Sequence, residues 1–344
     1  MLTRPTVQLD LMVDILKAAA EPSRLRILVL LSHGDLTVSD LTEILDQSQP
    51  RVSRHLKLLL EADLIVRYQE GTWAYFRLSE SDAAREFVDG VVARIDRTDP
   101  VTDRDLERLE AIKQRREERA AEYFAANAAS WDQIRSLHVP DAAVEAELKA
   151  LVGERPFQSM ADLGTGTGRL LELFAPLYRR GIGVDLSREM LAVARAKLER
   201  AGITHAQVRL GNVYAPPVDR DSHDLVTLHQ VLHYLEEPGL AIREAAKLLR
   251  PAGKLVIVDF APHALEFLRE EHAHVRLGFG DGQIGEWLRE AELELVETRN
   301  FEPEGDAAGG LTVKLWLAQD RRMLIADNQH RAGQTRAGTV KELA

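Results

Sequence analysis

The chain has 344 residues, with 45% hydrophobic and 29% charged residues, and 55 acidic side chains against 44 basic ones give a formal net charge of −11. That length exceeds an ordinary domain, so two domains and a connection are expected, and no run approaches the roughly 18 apolar residues that a membrane span requires. The acidic balance excludes a general polyanion-binding surface, so contact with nucleic acid needs a local basic patch; the absence of cysteine excludes disulfides and thiolate metal sites and, with an N-terminus that lacks a secretory pattern, leads us to expect a cytoplasmic protein.

In chain order, Leu9, Met12, Val13, Leu16 and Ala20 recur at helical spacing, and "EPSRLRILVLL" predicts a second helix with Pro22 in its first turn. A third helix is expected from Ser39, with Leu41, Ile44 and Leu45 facing inward. "RVSRHLKLLLEADLI" predicts a fourth, capped by Ser48, with Val52, Leu56, Leu59 and Leu60 as its buried stripe. Its other face carries Gln49, Arg51, Ser53, Arg54, His55 and Lys57, the short polar and basic set that a major-groove helix needs; a solvated basic face is the plainer alternative. "LIVRYQEGTWAYFRLSE" then reads as a hairpin with Arg67, Gln69, Thr72 and Trp73 near its tip, and helices followed by such a hairpin make a winged helix-turn-helix.

Through "AEPSRLRILVLL", "SQPRVSRHLKLLLEADLI" and "RYQEGTWAYFRL", residues 8–95 resemble the ArsR/SmtB family of bacterial repressors. The resemblance implies a homodimer on a double-stranded DNA operator that is released by a ligand, often a metal held by Cys-x-Cys. Thr37 and Ser39 stand at those positions in "DLTVSDL", and neutral hydroxyls are poor ligands for soft metals, so no metal site is expected and the signal must enter elsewhere. The domain is placed at 1–98. The charged stretch "TDRDLERLEAIKQRREER" is expected to be an exposed helical spacer, and Tyr123, Phe124 and Trp131 suggest a lid on the second domain, the connection covering 99–136.

From 137 to 318, short apolar runs ("FQSMADLG", "GIGVDLS", "AQVRLGN", "HDLVTLHQ", "GKLVIVDF") alternate with helical patterns, which predicts a parallel sheet with helices on both faces and a ligand beyond the strand ends. The first such end is "DLGTGTGR", with Asp162, Gly164, Thr165, Gly166 and Gly168. Its glycines allow positive φ and close approach of a ligand, although a bare structural turn is an alternative reading; the third glycine of the dinucleotide fingerprint is missing. Asp185 after the second strand is placed to accept the hydroxyls of a ribose. Together these describe an adenosine that carries an amino acid, S-adenosylmethionine or its product S-adenosylhomocysteine.

The constellation, from about Tyr123 to Ala318, resembles class I methyltransferases, most closely the ubiquinone and menaquinone C-methyltransferases. The expected whole is therefore multidomain, an α+β winged helix followed by a doubly wound, Rossmann-like α/β fold. The resemblance implies that the glycine loop cradles the methionine part, Asp185 and Leu186 flank the ribose, Met190, Asn212 and Val213 lie toward the adenine, and "LHQVLHYL" joins cofactor to substrate. His229 and His233, four apart and so expected on one helical face, are candidate catalytic residues with Trp131 and are expected to line the cleft, His229 contacting the cofactor; a zinc pair is the alternative for the histidines. His272 and His274 are expected to be surface or packing residues, and 319–344 a disordered tail. Two functions are compatible with these residues: a metal-independent ArsR-type regulator with the nucleoside as effector, or an active methyltransferase for a small-molecule acceptor with an autoregulatory DNA-binding domain. An N-terminal domain that only dimerises is a plainer third.

Overall fold

The computed structural model describes residues 8–70, 73–79, 81–96, 98–131, 141–302 and 311–322, and divides into two compact units, Met1–Arg119 and Ala120–Ala344.

In the first unit, α1 (Leu9–Ala19), α2 (Pro22–Leu31), β1 (Leu36–Thr37), α3 (Val38–Leu45) and α4 (Gln49–Glu61) lead into a hairpin of β2 (Ile65–Glu70) and β3 (Trp73–Leu78), followed by α5 (Asp82–Val92) and the 28-residue α6 (Pro100–Asn127). Local chemistry sets the boundaries. Pro22 opens α2, where its missing N–H costs nothing, and the Glu21 carboxylate accepts the Arg24 N–H at 2.9 Å. Ser48 is the N-cap of α4 as expected, although its hydroxyl makes no capping bond. The hairpin pairs Ile65 with Leu78 and Glu70 with Trp73, and β1 adds to β3, giving the order β1-β3-β2.

Ile27, Leu28, Leu41, Ile44, Val52, Leu56 and Leu59 are buried together at the centre of this unit, each such side chain contributing about 1.5–3 kcal/mol on leaving water. Within α1, Ile15, Ala18 and Ala19 are buried, whereas Leu9 is 78% and Leu16 50% exposed. One expectation is corrected: the charged stretch is no bare spacer, because Leu109 and Ile112 are buried in the same core and the Asp105 carboxylate accepts from Arg26 Nε at 2.5 Å and Nη2 at 2.7 Å. Two well-spaced apolar residues anchor a helix that is otherwise polar.

The second unit begins with the end of α6 and a 3₁₀ turn, Ala128–Ser130. It continues through α7 (Asp141–Val152), β4 (Phe157–Leu163), α8 (Arg169–Phe174), β5 (Tyr178–Asp185), α9 (Arg188–Arg200), β6 (Ala206–Leu210), β7 (His223–His229), α10 (Pro238–Leu248), β8 (Leu249–Phe260), α11 (Phe267–Glu271), α12 (Asp281–Glu290), β9 (Leu293–Phe301) and β10 (Val313–Asp320). The seven strands form one sheet in the order β6-β5-β4-β7-β8-β10-β9, parallel except for β10, which runs antiparallel to both neighbours. Alternation along each strand divides the core between the faces. Ala161, Leu163, Leu255 and Ile257 pack with α10 and α12, while Met160, Val256 and Val258 pack with Leu148 of α7, Phe174 of α8 and Leu268 of α11. Strand order reverses at β4 and β7, so the carboxyl ends of β4, β5 and β7 open on the crevice where such sheets bind ligands. β10 runs two residues past the expected domain end, and 323–344, with the expected disorder of the tail, lies outside the described residues.

Candidate functional site

On α4, burial of Val52, Leu56 and Leu59 turns Ser48, Gln49, Arg51, Ser53, Arg54 and Lys57 to solvent. Arg67 on the hairpin is also exposed, 3.3 Å from Gln69, and Trp73 beside it is 41% exposed; Thr72 lies outside the described residues. His55 corrects the expectation for this face. It falls on the buried stripe with Val52, Leu56 and Leu59, near the Glu21 carboxylate, and burial followed by the charges of Arg24, Arg51 and Arg54 lowers its pKa despite Glu21. A neutral, buried imidazole offers nothing to a phosphate. The spacing from Val52 to His55 already carried that signal.

Thr37 is buried at the N-cap of α3, where its hydroxyl accepts the Asp40 N–H at 3.1 Å and donates to the Asp40 carboxylate at 2.8 Å, while the Thr37 N–H returns to that carboxylate at 2.9 Å. Arg116 holds the other Asp40 oxygen at 2.7 Å. The segment that holds metal in the resembled repressors is here a closed capping box. Among the described residues no group of three or more histidine, aspartate or glutamate side chains could hold a metal ion.

In the second unit, Gly164, Gly166 and Gly168 all have positive φ, at 72°, 51° and 80°. A Cβ on Gly164 would stand 2.4 Å from Val231 Cγ2, so glycine is required there for packing as well as for conformation. On Gly166 a Cβ would meet Trp131 in ordinary contact, 3.6 Å from Nε1, so the indole lies against the loop on that side. Asp162 is buried under the loop, its carboxylate accepting the hydroxyls of Thr165 at 2.7 Å and Thr227 at 2.6 Å. This corrects its direct placement on a ligand: it shapes the loop from beneath, and Thr165 is buried with it.

Asp185 closes β5, half-buried, accepting the N–H of Gly166 at 2.8 Å on one oxygen and that of Ser187 at 2.9 Å on the other. With the Leu186 N–H as a third donor, the carboxylate keeps acceptor capacity for a ribose hydroxyl. Burial pushes its carboxyl up, partly offset by the N–H groups of Ser187, Gly166 and Leu186. Leu186 is 61% exposed beside it, Met190 and Val213 are buried, and Asn212 Oδ1 accepts the Tyr214 N–H at 2.9 Å. The residues present fit an adenosine bearing an amino acid: a glycine loop at positive φ, an acid at the end of the next strand, and apolar walls.

His229 and His233 do not share a helical face. His229 is the last residue of β7 and His233 lies in the 3₁₀ turn Leu232–Tyr234. The intervening Gln230 has φ 52°, which breaks the spacing argument, because a left-handed residue ends any helix register. His233 Nδ1 pairs with Asp259 Oδ1 at 2.8 Å, both buried. His272 and His274 lie past α11, which ends at Glu271, and pack among aromatic rings, lining a pocket with Tyr123, Trp131, Gln230, His233, Tyr234, Phe260, Leu268 and Leu311. The Tyr123 hydroxyl meets His272 Nδ1 at 2.8 Å, and Phe124 packs edge-on to Tyr234 at 4.7 Å and to Trp131 at 5.3 Å. Sequence reasoning missed Asp259 and Gln230. Asp259 had a signal of the same kind as Asp185, an acid that ends an apolar strand.

A winged helix-turn-helix unit and a doubly wound, Rossmann-like sheet share one chain. Residues 21–66 match the family model of the bacterial regulatory protein, arsR family, and residues 161–257 match that of the methyltransferase domain, so the chain carries an ArsR-type DNA-binding regulator domain fused to a methyltransferase domain. It is similar to the arsenical resistance operon repressor of Escherichia coli K12, 47% identical over 68 residues, covering 20% of this chain and 58% of that protein. It is also similar to the uncharacterized methyltransferase YcgJ of Bacillus subtilis, 29% identical over 136 residues (37% of this chain, 52% of that one). The ubiquinone/menaquinone biosynthesis C-methyltransferase UbiE of Vibrio vulnificus YJ016 is 32% identical over 113 residues, 32% of this chain and 44% of that one. The chain spans about half the length of each of these relatives.

Proposed function

We propose that the chain is a metal-independent, cytoplasmic transcriptional regulator of ArsR type that binds a double-stranded operator as a homodimer and takes S-adenosylmethionine or S-adenosylhomocysteine as its effector. One observation carries the reading: Thr37 is sealed in a capping box with Asp40, while the positive-φ loop at Gly164 to Gly168 and the carboxylate of Asp185 suit an adenosine ligand. Asp185 would hold the ribose, Leu186, Met190, Asn212 and Val213 the adenine side, and the glycine loop the amino-acid part. The bound nucleoside supplies, as S-adenosylmethionine, a methyl group already activated at a sulfonium.

An effector moves an operator equilibrium only by its preference for one state, so a change of about 100-fold in DNA affinity needs about 2.7 kcal/mol of coupling. Calorimetry with S-adenosylmethionine and S-adenosylhomocysteine, each with and without operator DNA, tests this. Unequal affinities support the sensor; four equal ones remove it.

The second reading, an active small-molecule methyltransferase, is favoured by the pocket of Trp131, His233 and their neighbours next to the glycine loop. There the protein's part is to hold an acceptor and exclude water, with His233 set by Asp259 to take a proton. Turnover and regulation are compatible.

A further inference from the structure

α6 is one uninterrupted helix from Pro100 to Asn127, whose residues up to Arg119 belong to the first unit and those from Ala120 onward to the second. Its first part is fixed to the helix-turn-helix. Leu109 and Ile112 lie in the core of that unit, Arg108 donates to the Ile44 carbonyl at 2.8 Å, Arg115 pairs with Glu43, and Arg116 holds at 2.7 Å the Asp40 oxygen that the capping box does not use. Three arginines of α6 thus grip α3, the helix that precedes α4. The Arg116 and Asp40 side chains are largely withdrawn from the solvent that weakens exposed ion pairs. The last turns of the same helix lie in the aromatic cluster of the second unit. Phe124 and Tyr123 pack edge-on to Trp131 at 5.3 and 6.3 Å, and the Trp131 indole lies against Gly166. In the reading proposed above that glycine backbone cradles the amino-acid part of the nucleoside, so ligand and indole share one wall. A ligand shifts an equilibrium only through contacts that differ between two states, and an indole that must make room is such a contact. Between the two anchored parts stands Ala121, exposed and without a polar side chain, so there the connection is the helix backbone.

We infer that α6 is the element through which the nucleoside site acts on the DNA-binding unit: a ligand at the glycine loop displaces Trp131 and with it the last turns of α6, and the helix passes the change to α3 through Arg108, Arg115 and Arg116. The inference rests on the regulatory reading of the nucleoside site and names how its occupancy is read out. The capping box of Thr37 and Asp40 is then the receiving end of the signal.

Continuity of the helix is the requirement to test. Ala121→Pro removes a backbone donor and clashes with the preceding turn, breaking α6 at an exposed position, whereas Ala121→Gln keeps it helical. Operator affinity of the full chain is measured with and without S-adenosylhomocysteine, whose own affinity is read by calorimetry, and hydrogen exchange is followed at the Thr37 and Asp40 amides. In Ala121→Pro, nucleoside affinity and nucleoside-free operator affinity should stay within about two-fold of the unaltered chain, while the effect of the nucleoside on operator affinity falls about ten-fold or more and the two amides cease to respond to it. Ala121→Gln should retain both responses. Arg116→Gln leaves the helix whole but releases Asp40, and should cut the operator response about three-fold or more with nucleoside affinity unchanged. A full operator response in Ala121→Pro or in Arg116→Gln, or its loss in Ala121→Gln, overturns the inference. An unaltered chain that binds S-adenosylhomocysteine with no change in operator affinity overturns the regulatory reading itself, and this inference with it.

Discussion

Asp185 carries the most weight of any single residue, because backbone N–H groups fix both its oxygens at the end of β5. If it holds a ribose hydroxyl, replacing it with alanine removes a charge-assisted hydrogen bond of about 1.5–3 kcal/mol and is expected to weaken S-adenosylhomocysteine binding about ten-fold or more by calorimetry. Wild-type affinity in that variant would place the nucleoside elsewhere. At Thr37 the expected effect is on stability: Thr37→Val breaks the capping box and should cost about 1 kcal/mol in denaturant unfolding, while zinc or arsenite leaves operator binding of the unaltered protein unchanged. The buried histidines predict a pH dependence. Burial lowers the pKa of His263 to about 4, and that of His274 well below its ordinary value. Between the ordinary 6.5 and about 4 the unfolded chain therefore binds more protons than the folded one, so stability is full above the upper value and declines as pH falls through the window. Thermal unfolding from pH 7.5 down to about 4.5 checks the sign, and His274→Phe should flatten the slope.

Among the elements, α4 presents a sorted surface, with its apolar stripe inward and Arg51 and Arg54 outward. Arg51→Ala and Arg54→Ala should each lower operator affinity and reduce the salt dependence of binding by about one released counterion, read from affinity against salt concentration. Unchanged operator binding in the double variant would leave this domain with dimerisation alone. Between β4 and α8 the glycine loop makes a second prediction: Gly164→Ala forces a side chain into Val231 at a positive φ and should abolish nucleoside binding with a lower melting temperature. Both elements were legible beforehand, because helical periodicity and glycine spacing are local properties of the chain. α6 was not, because whether Leu109 and Ile112 meet water or a core depends on what folds beside them.

At the scale of the molecule, an ArsR-type domain without a metal centre among its described residues and a methyltransferase sheet with an open cleft share one chain. If the second serves the first, operator affinity should change with S-adenosylhomocysteine and not with metal, and Asp185→Ala should abolish that response while leaving DNA affinity without the nucleoside unaltered. A fluorescence-anisotropy titration of operator DNA with both proteins, at one salt concentration, measures it.

By itself the sequence determined the order of the strands along the chain, the two kinds of domain, the glycine loop and Asp185, because each is written in residues that are neighbours or regularly spaced. Only the tertiary structure decided that His55 belongs to the core, that Asp162 works from under its loop, and that His233, His274, Gln230 and Asp259 line or support one pocket. Those four come from three separate stretches, brought together by parallel strands and the turns at their ends. Periodicity reports which face of an element is apolar; it carries no information about which other element that face, or a polar side chain at its edge, will meet.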